Sequence, residues 1–420
     1  GWNLTGAVDT GEGDLDVIFS DLDGREPRNL IRSIRDEDVF LTFGDDSTFV
    51  EEAPTSGKIY LKAEKDGSHV LIGDFKVAEE RLGLVRSDRT LFGAQAVYES
   101  AQHLTNEGRP RLRFMGYAAS PDRLVQRDVF DGTGGTGYFL KRQGVLSGTS
   151  TVSVQWRDPV SGRIVQQQTL IEGRDYRINH FQGVVILTDP LNPYAGDSLL
   201  NDNTLGQYEV QLVVQYEYVP TLGNVDGNSY GGRIEGWVND NIRLGFSAQH
   251  EETGVADNKL YGADLLVRQS DLTFMNLEVA QSEGPGFGLD TSFNGGFDFN
   301  NMPTVGAAGT KALAYSLDAR ADLAEITNGK VSGTLSAYYD YKEAGFVSAD
   351  YNIATTQTAY GVAANLDIND RTSVTLEHDH FDDSAGKERD DTRVGLSFSI
   401  NPMWTTEIIA LHTSQTDPLA

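Results

Sequence analysis

Residues 315–341 read YSLDARADLAEITNGKVSGTLSAYYDY, and this stretch shows the pattern that decides the fold. Apolar and polar side chains alternate in its first part, with Tyr315, Leu317 and Ala319 set against Ser316, Asp318 and Arg320. After the tight turn Thr327-Asn328-Gly329, the same period of two returns between Val331 and Tyr341. Such alternation predicts a hairpin of two antiparallel strands, each with one apolar and one polar face.

The alternation recurs along most of the chain. Candidate strands lie at 2–10, 58–64, 69–77, 90–101, 109–118 and 207–219, and ten more follow from residue 229. These segments run roughly 10–13 residues, whereas ordinary strands centre on about 5–6 and strands that cross a bilayer need roughly 9–11. The pattern therefore predicts about 16 long strands, a number that falls within the range of outer-membrane barrels.

The lengths of the connections alternate as well. From residue 229 onward, tight turns at 239–240, 269–271, 327–329, 369–370 and 401–403 alternate with open connections at 251–258, 282–311, 343–356 and 382–390. This sorting is typical of a transmembrane antiparallel β-barrel, which turns its apolar faces to lipid and keeps a polar lumen. The alternative is a soluble sandwich with its apolar faces inward, for which sorted connections have no physical reason. With about 16 strands the last one would end at the long-loop side, which predicts a missing strand or a truncated chain.

Composition narrows the function classes. The chain has 420 residues, a net charge of −28 and no cysteine. The charge argues against nucleic acid as a partner, because a phosphate backbone requires an excess of Lys and Arg. The lack of cysteine excludes disulfides and thiolate-ligated metal sites. No apolar run reaches the roughly 18–20 residues of a spanning helix, and Gly1 opens a strand-like stretch rather than a signal peptide, as in a mature or excised chain.

Two segments interrupt the alternation and divide the chain. Residues 1–119 hold the first barrel strands with a long insertion at 11–57, and residues 206–420 hold the remaining barrel strands. Between them, 120–205 contains two hairpins of its own and is predicted to be a small inserted β-domain, sandwich-like or plug-like. The loop-length pattern would connect this insertion at the short-turn, periplasmic side, and a plug inside the lumen is equally compatible.

The insertion also carries a recognisable sequence. Gly173-Arg174-Asp175-Tyr176-Arg177-Ile178, followed by Gly183 and Leu187, resembles a hairpin repeated in the large translocon barrel of the Bacteroidetes type IX secretion system. Gly1-Trp2-Asn3-Leu4-Thr5 and Phe43-Gly44-Asp45-Asp46 resemble the barrel region of very large bacterial outer-membrane surface proteins, which often carry OmpA-like or TonB-receptor-like labels. The resemblance implies an outer-membrane location and a barrel fold. An OmpA-type peptidoglycan-binding domain and a TonB box are both missing from this sequence, which argues against wall anchoring and energy-coupled uptake.

One set of charged residues predicts a selectivity site. Arg109, Arg111 and Arg113 are spaced by two, so they share the polar face of one candidate strand. The next candidate barrel strand offers Glu209 and Glu217 on its polar face. Facing charges of opposite sign set a transverse field across a pore and select solutes. The alternative is a set of structural ion pairs within the lumen.

Metal and catalytic chemistry receive weaker support. His378 and His380 share one face of a strand and form a weak candidate metal pair, and the favoured interpretation is a polar strand end that runs into a loop. The acidic segments 12–23, 45–52 and 379–391 could bind divalent cations such as calcium, although no complete calcium-binding loop is present. No cofactor is otherwise implied. Because the chain contains neither a nucleophile elbow nor a zinc-protease helix motif, we expect it not to be an enzyme.

The sequence therefore predicts an integral β-barrel of the outer membrane of a Gram-negative bacterium. Its expected role is a pore or translocation conduit, with the inserted domain and residues 11–57 as plug or gate. The alternative is a structural surface scaffold or adhesin within an envelope complex. Expected partners are outer-membrane lipid, lipopolysaccharide and other envelope proteins, and nucleic acid is not among them.

Overall fold

The computed structural model describes residues 1–8, 59–79, 82–101, 103–120, 123–146, 148–193, 208–218, 227–252, 257–286, 289–302, 304–401 and 403–418. Within these ranges the chain forms strands and one short helix, α1 (Leu323–Thr327). In chain order the strands are β1 (Asn3–Val8), β2 (Ile59–Lys65), β3 (Ser68–Glu79), β4 (Ser87–Glu99), β5 (Leu112–Ala119), β6 (Leu124–Asp131), β7 (Gly137–Phe139), β8 (Thr151–Arg157), β9 (Ile164–Thr169), β10 (Tyr176–Asn179), β11 (Val184–Leu187), β12 (Glu209–Tyr218), β13 (Asn228–Trp237), β14 (Ile242–Glu252), β15 (Asn258–Arg268), β16 (Phe274–Glu283), β17 (Leu289–Ser292), β18 (Asn300–Met302), β19 (Lys311–Asp322), β20 (Ser332–Lys342), β21 (Gln357–Asn369), β22 (Thr372–Asp383), β23 (Glu388–Asn401) and β24 (Trp404–Thr416).

A single large sheet contains 15 of these strands, in the order β1-β2-β3-β4-β5-β13-β14-β15-β16-β19-β20-β21-β22-β23-β24. Every neighbouring pair in it is antiparallel. The all-β prediction and the antiparallel sheet are confirmed. Among the described residues, β1 pairs only with β2 and β24 only with β23, so no ladder joins the two edges of the sheet.

The two faces of the large sheet have opposite chemistry. On the outer face, large apolar side chains are exposed, including Ile234, Phe246, Val362 and Leu396. On the inner face, charged side chains are buried, including Arg233, Asp264, Glu278 and Arg393. Phe246 is 58% exposed while Arg393 is 1% exposed. The predicted alternation is present. From β13 to β23 the apolar side faces away from the rest of the protein, whereas on β2 to β5 the inner face also buries an apolar cluster that includes Tyr60, Leu71, Phe75 and Met115.

The connections are sorted between the two ends of the sheet. The long connections 9–58, 120–227, 284–310 and 343–356 all leave one end, which we call the long-loop end. Tight turns such as 66–67 and 370–371 lie at the opposite, short-turn end, together with the 12-residue connection 100–111 between β4 and β5. Two details differ from prediction. The expected loop at 382–390 is only the turn 384–387, and the expected tight turn at 327–329 includes α1, which Asp322 caps by accepting from the Glu325 N–H at 3.0 Å.

The remaining strands form a second structural unit. A six-stranded sheet has the order β18-β17-β6-β12-β8-β9, and a three-stranded sheet has the order β10-β11-β7. Their shared core contains Phe130, Tyr138, Val154 and Leu212, all buried. We call residues 123–218 the inner module. The short strands β17 and β18 come from the connection between β16 and β19, and β17 joins the module through a parallel ladder with β6.

The predicted boundary at 205/206 is wrong for one strand. The candidate strand at 207–219 is β12, and it lies between β6 and β8 in the module rather than in the large sheet. Its apolar residues, such as Leu212 and Val214, fill the module core, and Glu217 on its other face is also buried. The large sheet consequently has 15 strands instead of about 16. A strand that is central in a small sheet can show the same alternation as one in a large sheet, because both have two chemically distinct faces.

The module enters and leaves at the long-loop end. β5 ends at Ala119, which is paired with Ser229 at the start of β13. The expectation of a connection at the short-turn side is therefore wrong, because the strand directions place both module links at the other end.

The large sheet curves around the module. The module bonds to Lys76 on β3 and to Asp340 on β20. These strands are eight places apart in the sheet order, a separation of about 40 Å if the sheet were flat. Contact with both requires the sheet to bend so that its inner face surrounds the module. Separately, no helix in the described part of the chain has the length and apolar character to span a membrane.

Candidate functional site

The interface between the inner module and the inner face of the large sheet gathers many of the buried charged residues of the protein. Three ionic clusters hold the module there, centred on Arg89, Asp350 and Arg163. Buried charges are costly unless they are paired, so their placement here makes this interface the candidate functional site.

The first cluster joins β12 of the module to β4 and β14. The Arg89 guanidinium donates to Glu217 at 3.2 Å and to Glu251 at 2.7 Å. Next to it, the Gln215 side chain donates to the Asp88 carbonyl oxygen. Burial raises the pKa of the Glu217 carboxyl, and Arg89 opposes that rise by favouring the charged form. One module carboxylate is thus held by a cation of the surrounding sheet.

The second cluster centres on Asp350, in the connection between β20 and β21. Its carboxylate accepts from Arg127 and, at 2.9 Å, from Gln155, while Arg86 lies at 3.7 Å. Arg157 donates to the Asp350 backbone carbonyl at 3.1 Å. Burial disfavours the charged carboxylate, but the surrounding guanidinium groups outweigh it and hold the pKa of Asp350 below its usual range. This long loop is thereby fixed to β6 and β8 of the module.

The third cluster holds the tip of the β8–β9 hairpin against β19 and β20. Arg163 contacts Asp318 at 2.5 Å and Asp340 at 3.2 Å, and its guanidinium lies 3.7 Å from the Tyr338 ring centroid. The turn is shaped locally, because the Asp158 carboxylate accepts from the Val160 and Ser161 backbone N–H groups. This Asx-type turn directs Arg163 towards the sheet.

The β3–β4 hairpin extends across the inner face. Near its tip, the backbone N–H groups of Gly83 and Leu84 donate to the Glu278 carboxylate on β16, at 2.9–3.0 Å. Leu84 packs there with Ala312 and Phe346. Gly73 and Gly93 face each other in the hairpin. A Cβ at Gly93 would lie 2.2 Å from the Ala118 carbonyl oxygen, so the close approach of β4 and β5 requires glycine at this position.

A cavity of about 80 Å³ lies where the module, the β3–β4 hairpin and the 343–356 loop meet. Its lining includes Asp88, Arg127 and Ser348, each of which has a buried polar atom without a hydrogen-bond partner: Asp88 Oδ2, Arg127 Nε and Ser348 Oγ. A cavity of this size with unpaired polar atoms in its wall has room for ordered water. The interface is therefore held by ion pairs and hydrogen bonds, unlike the apolar core of the module.

On β19, β20 and β21 the short-turn half of the inner face is open. Arg320, Ser332, Ser336 and Asp367 point to the inner side of these strands and are exposed. Further along β20, Asp340 and Lys342 are buried. The module thus covers the long-loop half of the inner face and leaves a polar vestibule beside these three strands at the short-turn end.

The three arginines predicted to share one strand face do not lie opposite the two predicted glutamates. Arg113 lies on β5 and pairs with Glu99 at 3.4 Å, while Arg111 and Arg109 precede the strand and bind Asp240 at 2.6 Å and Glu107 at 3.3 Å. β5 is next to β13, and β12 belongs to the module, so the expected opposition is wrong.

The two predicted glutamates have different positions. Glu217 is at the interface, bonded to Arg89. Glu209 lies at the other end of β12 and is largely exposed, and the partial burial of its carboxyl and the charge of Asp131 raise the pKa of that group. Of the five predicted lumen residues, Glu217 is the one that contributes to the ionic clusters.

The predicted histidine pair lies on the outer face of β22, on the same side as the exposed Leu376. His378 bonds to Thr392 at 2.9 Å, and His380 bonds to Asp390 at 2.8 Å and stacks on Tyr360. The group of potential ligands that the structure brings together is His380, Glu388 and Asp390, with ligand atoms within 4.8 Å of one another. His378 is not part of it.

Of the three acidic segments predicted to bind cations, one lies among the described residues. Residues 12–23 and 45–52 lie outside the described residues. Residues 379–391 are mostly strand, because β22 continues to Asp383 and β23 starts at Glu388.

Sequence reasoning missed the residues that hold the module, namely Asp350, Arg127, Arg163 and Arg89. Arg127 carried no clear signal, because it shares the parity of Val125 and Val129 in a segment without regular alternation. Asp350 carried none, because it lies in a long connection with no periodicity.

Comparisons with known proteins do not assign the chain to a family. No family model matches the chain, and no curated protein matches it. Among solved structures, a cryo-EM structure of the E. coli P pilus tip assembly intermediate PapC-PapD-PapK-PapG, in the second conformation, aligns with 86% of this chain and 40% of its own chain, at 12% identity and a TM-score of 0.33. This chain therefore spans less than half the length of the chain it matches, and a likeness this distant carries no argument about function.

Proposed function

We propose that this protein is an integral outer-membrane β-barrel of a Gram-negative bacterium that acts as a pore or translocation conduit, closed by its inner module. The observation that carries the proposal is the arrangement of β13 to β23 in the large sheet, where apolar side chains are exposed on the outer face and charged side chains are buried on the inner face. A soluble sandwich would bury the apolar face instead.

The extent of the exposed apolar surface supports a lipid environment. Soluble monomers rarely expose contiguous apolar patches beyond a few hundred Å². Here neighbouring strands present rows of exposed side chains, such as Leu376, Val394, Leu396, Phe398 and Ile408. Contact with acyl chains would remove this surface from water, at roughly 25 cal/mol per Å². Lipid and lipopolysaccharide are then the partners of the outer face.

The contacts that attach the module to the large sheet support a gated conduit. The module's own core is apolar and separate from the large sheet, while its attachments are mainly ion pairs, together with the packing of Ile164 on the cluster around Leu84. Ion pairs exchange for water more readily than an apolar core does. The polar vestibule at the short-turn end provides the other half of the route.

Two measurements test the proposal. Detergent-extracted protein should migrate faster on a gel before boiling than after it, as folded outer-membrane barrels do. In planar bilayers, Arg163→Ala should conduct more than the wild type, because it breaks the third cluster. The matched control is Arg174→Ala, which removes a module arginine that pairs with Asp175 and is 66% exposed. Silence of Arg163→Ala and of Asp350→Ala in bilayers would exclude a conduit and favour the scaffold role.

A further inference from the structure

The charges that attach the module are distributed unequally. Among the ion pairs that the described residues make between the module and the large sheet with its 343–356 loop, the module supplies the cation in four and the anion in one. The four are Arg123–Asp74, Arg127–Asp350, Arg163–Asp318 and Arg163–Asp340. The exception is Glu217 with Arg89.

The composition shows the same partition. Residues 123–218 contain eight Lys and Arg against ten Asp and Glu, out of 34 and 62 in the whole chain. The rest of the chain is left with 26 basic and 52 acidic residues. Acids outnumber bases two to one outside the module, while the module is close to balance.

Displacement of the module would therefore leave an acidic surface. Asp318 would lose the guanidinium at 2.5 Å, and Asp340 would keep Lys342 at 3.4 Å. Asp74 would lose Arg123. By contrast, Arg89 would keep Glu251 at 2.7 Å, so no free cation would be created at the first cluster. Pairs within the large sheet, such as Arg233 with Asp264, would not change.

We propose that the inner surface behind the module is a cation-selecting wall, so that the conduit, once the module moves, passes cationic solutes in preference to anionic ones. This inference rests on the proposed function and names its substrate class. The module's arginines occupy the wall in the closed state as a passing cation would in the open state. Fixed carboxylates along a pore favour cations by the same electrostatic rule that governs charged rings in channels.

Two full-length variants that break the same contacts distinguish a wall that selects cations from one that does not. Arg163→Ala loosens the module and leaves both wall carboxylates charged. Asp318→Asn combined with Asp340→Asn breaks the same contacts and leaves these two wall positions neutral. Reversal potentials across a KCl gradient should place Arg163→Ala on the potassium-selective side and shift the double variant towards zero. Equal selectivity of the two open channels, or a chloride preference in Arg163→Ala, would overturn the inference while the conduit stands.

A second measurement does not depend on conductance. The chain has no cysteine, so Ser153→Cys introduces a unique thiol. Ser153 is 2% exposed and lies on β8 between Thr151 and Gln155, which bond to Lys76 and Asp350. Spermine should accelerate maleimide labelling of this cysteine more than NaCl does at equal ionic strength, because a polycation competes for the wall carboxylates. Equal acceleration by the two salts would overturn the inference. Faster labelling with spermine but no current in any variant would retain the acidic wall and exclude the conduit.

Discussion

Removal of the Asp350 carboxylate should release the inner module. The side chain is 2% exposed and faces Arg127 and Arg86. In Asp350→Ala these guanidinium groups stay buried without their anion while the module is seated, and they reach water when it moves. Breaking a buried ion pair by removing one partner costs on the order of 3–5 kcal/mol. The cost falls on the seated state, so the released fraction should rise about 10²- to 10³-fold, at tenfold per 1.4 kcal/mol.

The assay is labelling of a cysteine at position 153 under conditions where the module reseats faster than the thiol reacts. The rate then follows the population of the released state. Asp350→Ala in the Ser153→Cys background should label on the order of 10²- to 10³-fold faster than Ser153→Cys alone. Arg174→Ala should leave the rate unchanged, because its pair with Asp175 is exposed and lies within the module.

Unfolding of the module must be distinguished from its release. Val152 is 0% exposed and lies in the module's own core, so a cysteine at position 152 reports unfolding. Labelling at 153 that accelerates without acceleration at 152 means release of a folded module. A wild-type labelling rate at 153 in Asp350→Ala would refute the reasoning that this carboxylate holds the module.

Three further outcomes are expected. Phe246 lies on the outer face and is 58% exposed. Phe246→Arg should lower the free energy of unfolding in lipid bilayers by about 2–4 kcal/mol, which urea titration in vesicles measures. An unchanged stability would contradict a lipid-facing surface. Burial raises the pKa of Asp128 to about 6 from its usual 3.8. The protonated carboxyl therefore stabilises the folded module by about 3 kcal/mol below about pH 4. This contribution to the free energy of unfolding is lost as the pH rises through 6. Hydrogen exchange of the module amides should show that decline, and Asp128→Asn should flatten it. Gly93→Val should prevent the close approach of β4 to Ala118 and Ala119. The fraction of the protein that shows heat-modifiable migration on gels should therefore fall. Normal migration would show that the hairpin can shift to accommodate a Cβ.

The partners of individual residues could not be read from the sequence. Arg109, Arg111 and Arg113 were predicted to face Glu209 and Glu217 because consecutive strands usually lie side by side. The inserted module breaks that rule, since β5 pairs with β13 and β12 joins β6 and β8. Likewise, Arg127 and Asp350 are 223 positions apart, and no local pattern relates them.

Strand positions, the two-faced character of each strand and the sorting of long connections to one end were all set by local sequence. They depend on residues two apart and on turns a few residues long, so neighbours along the chain are enough to establish them. The assignment of β12 to the module, the arginines seated on Asp350, Asp318 and Asp340, and the open vestibule were decided only by the tertiary structure. Those features arise because the large sheet bends around the module and brings polar faces from distant parts of the chain together at its inner face. A charge that is buried there is stable only with a partner supplied from elsewhere in the chain.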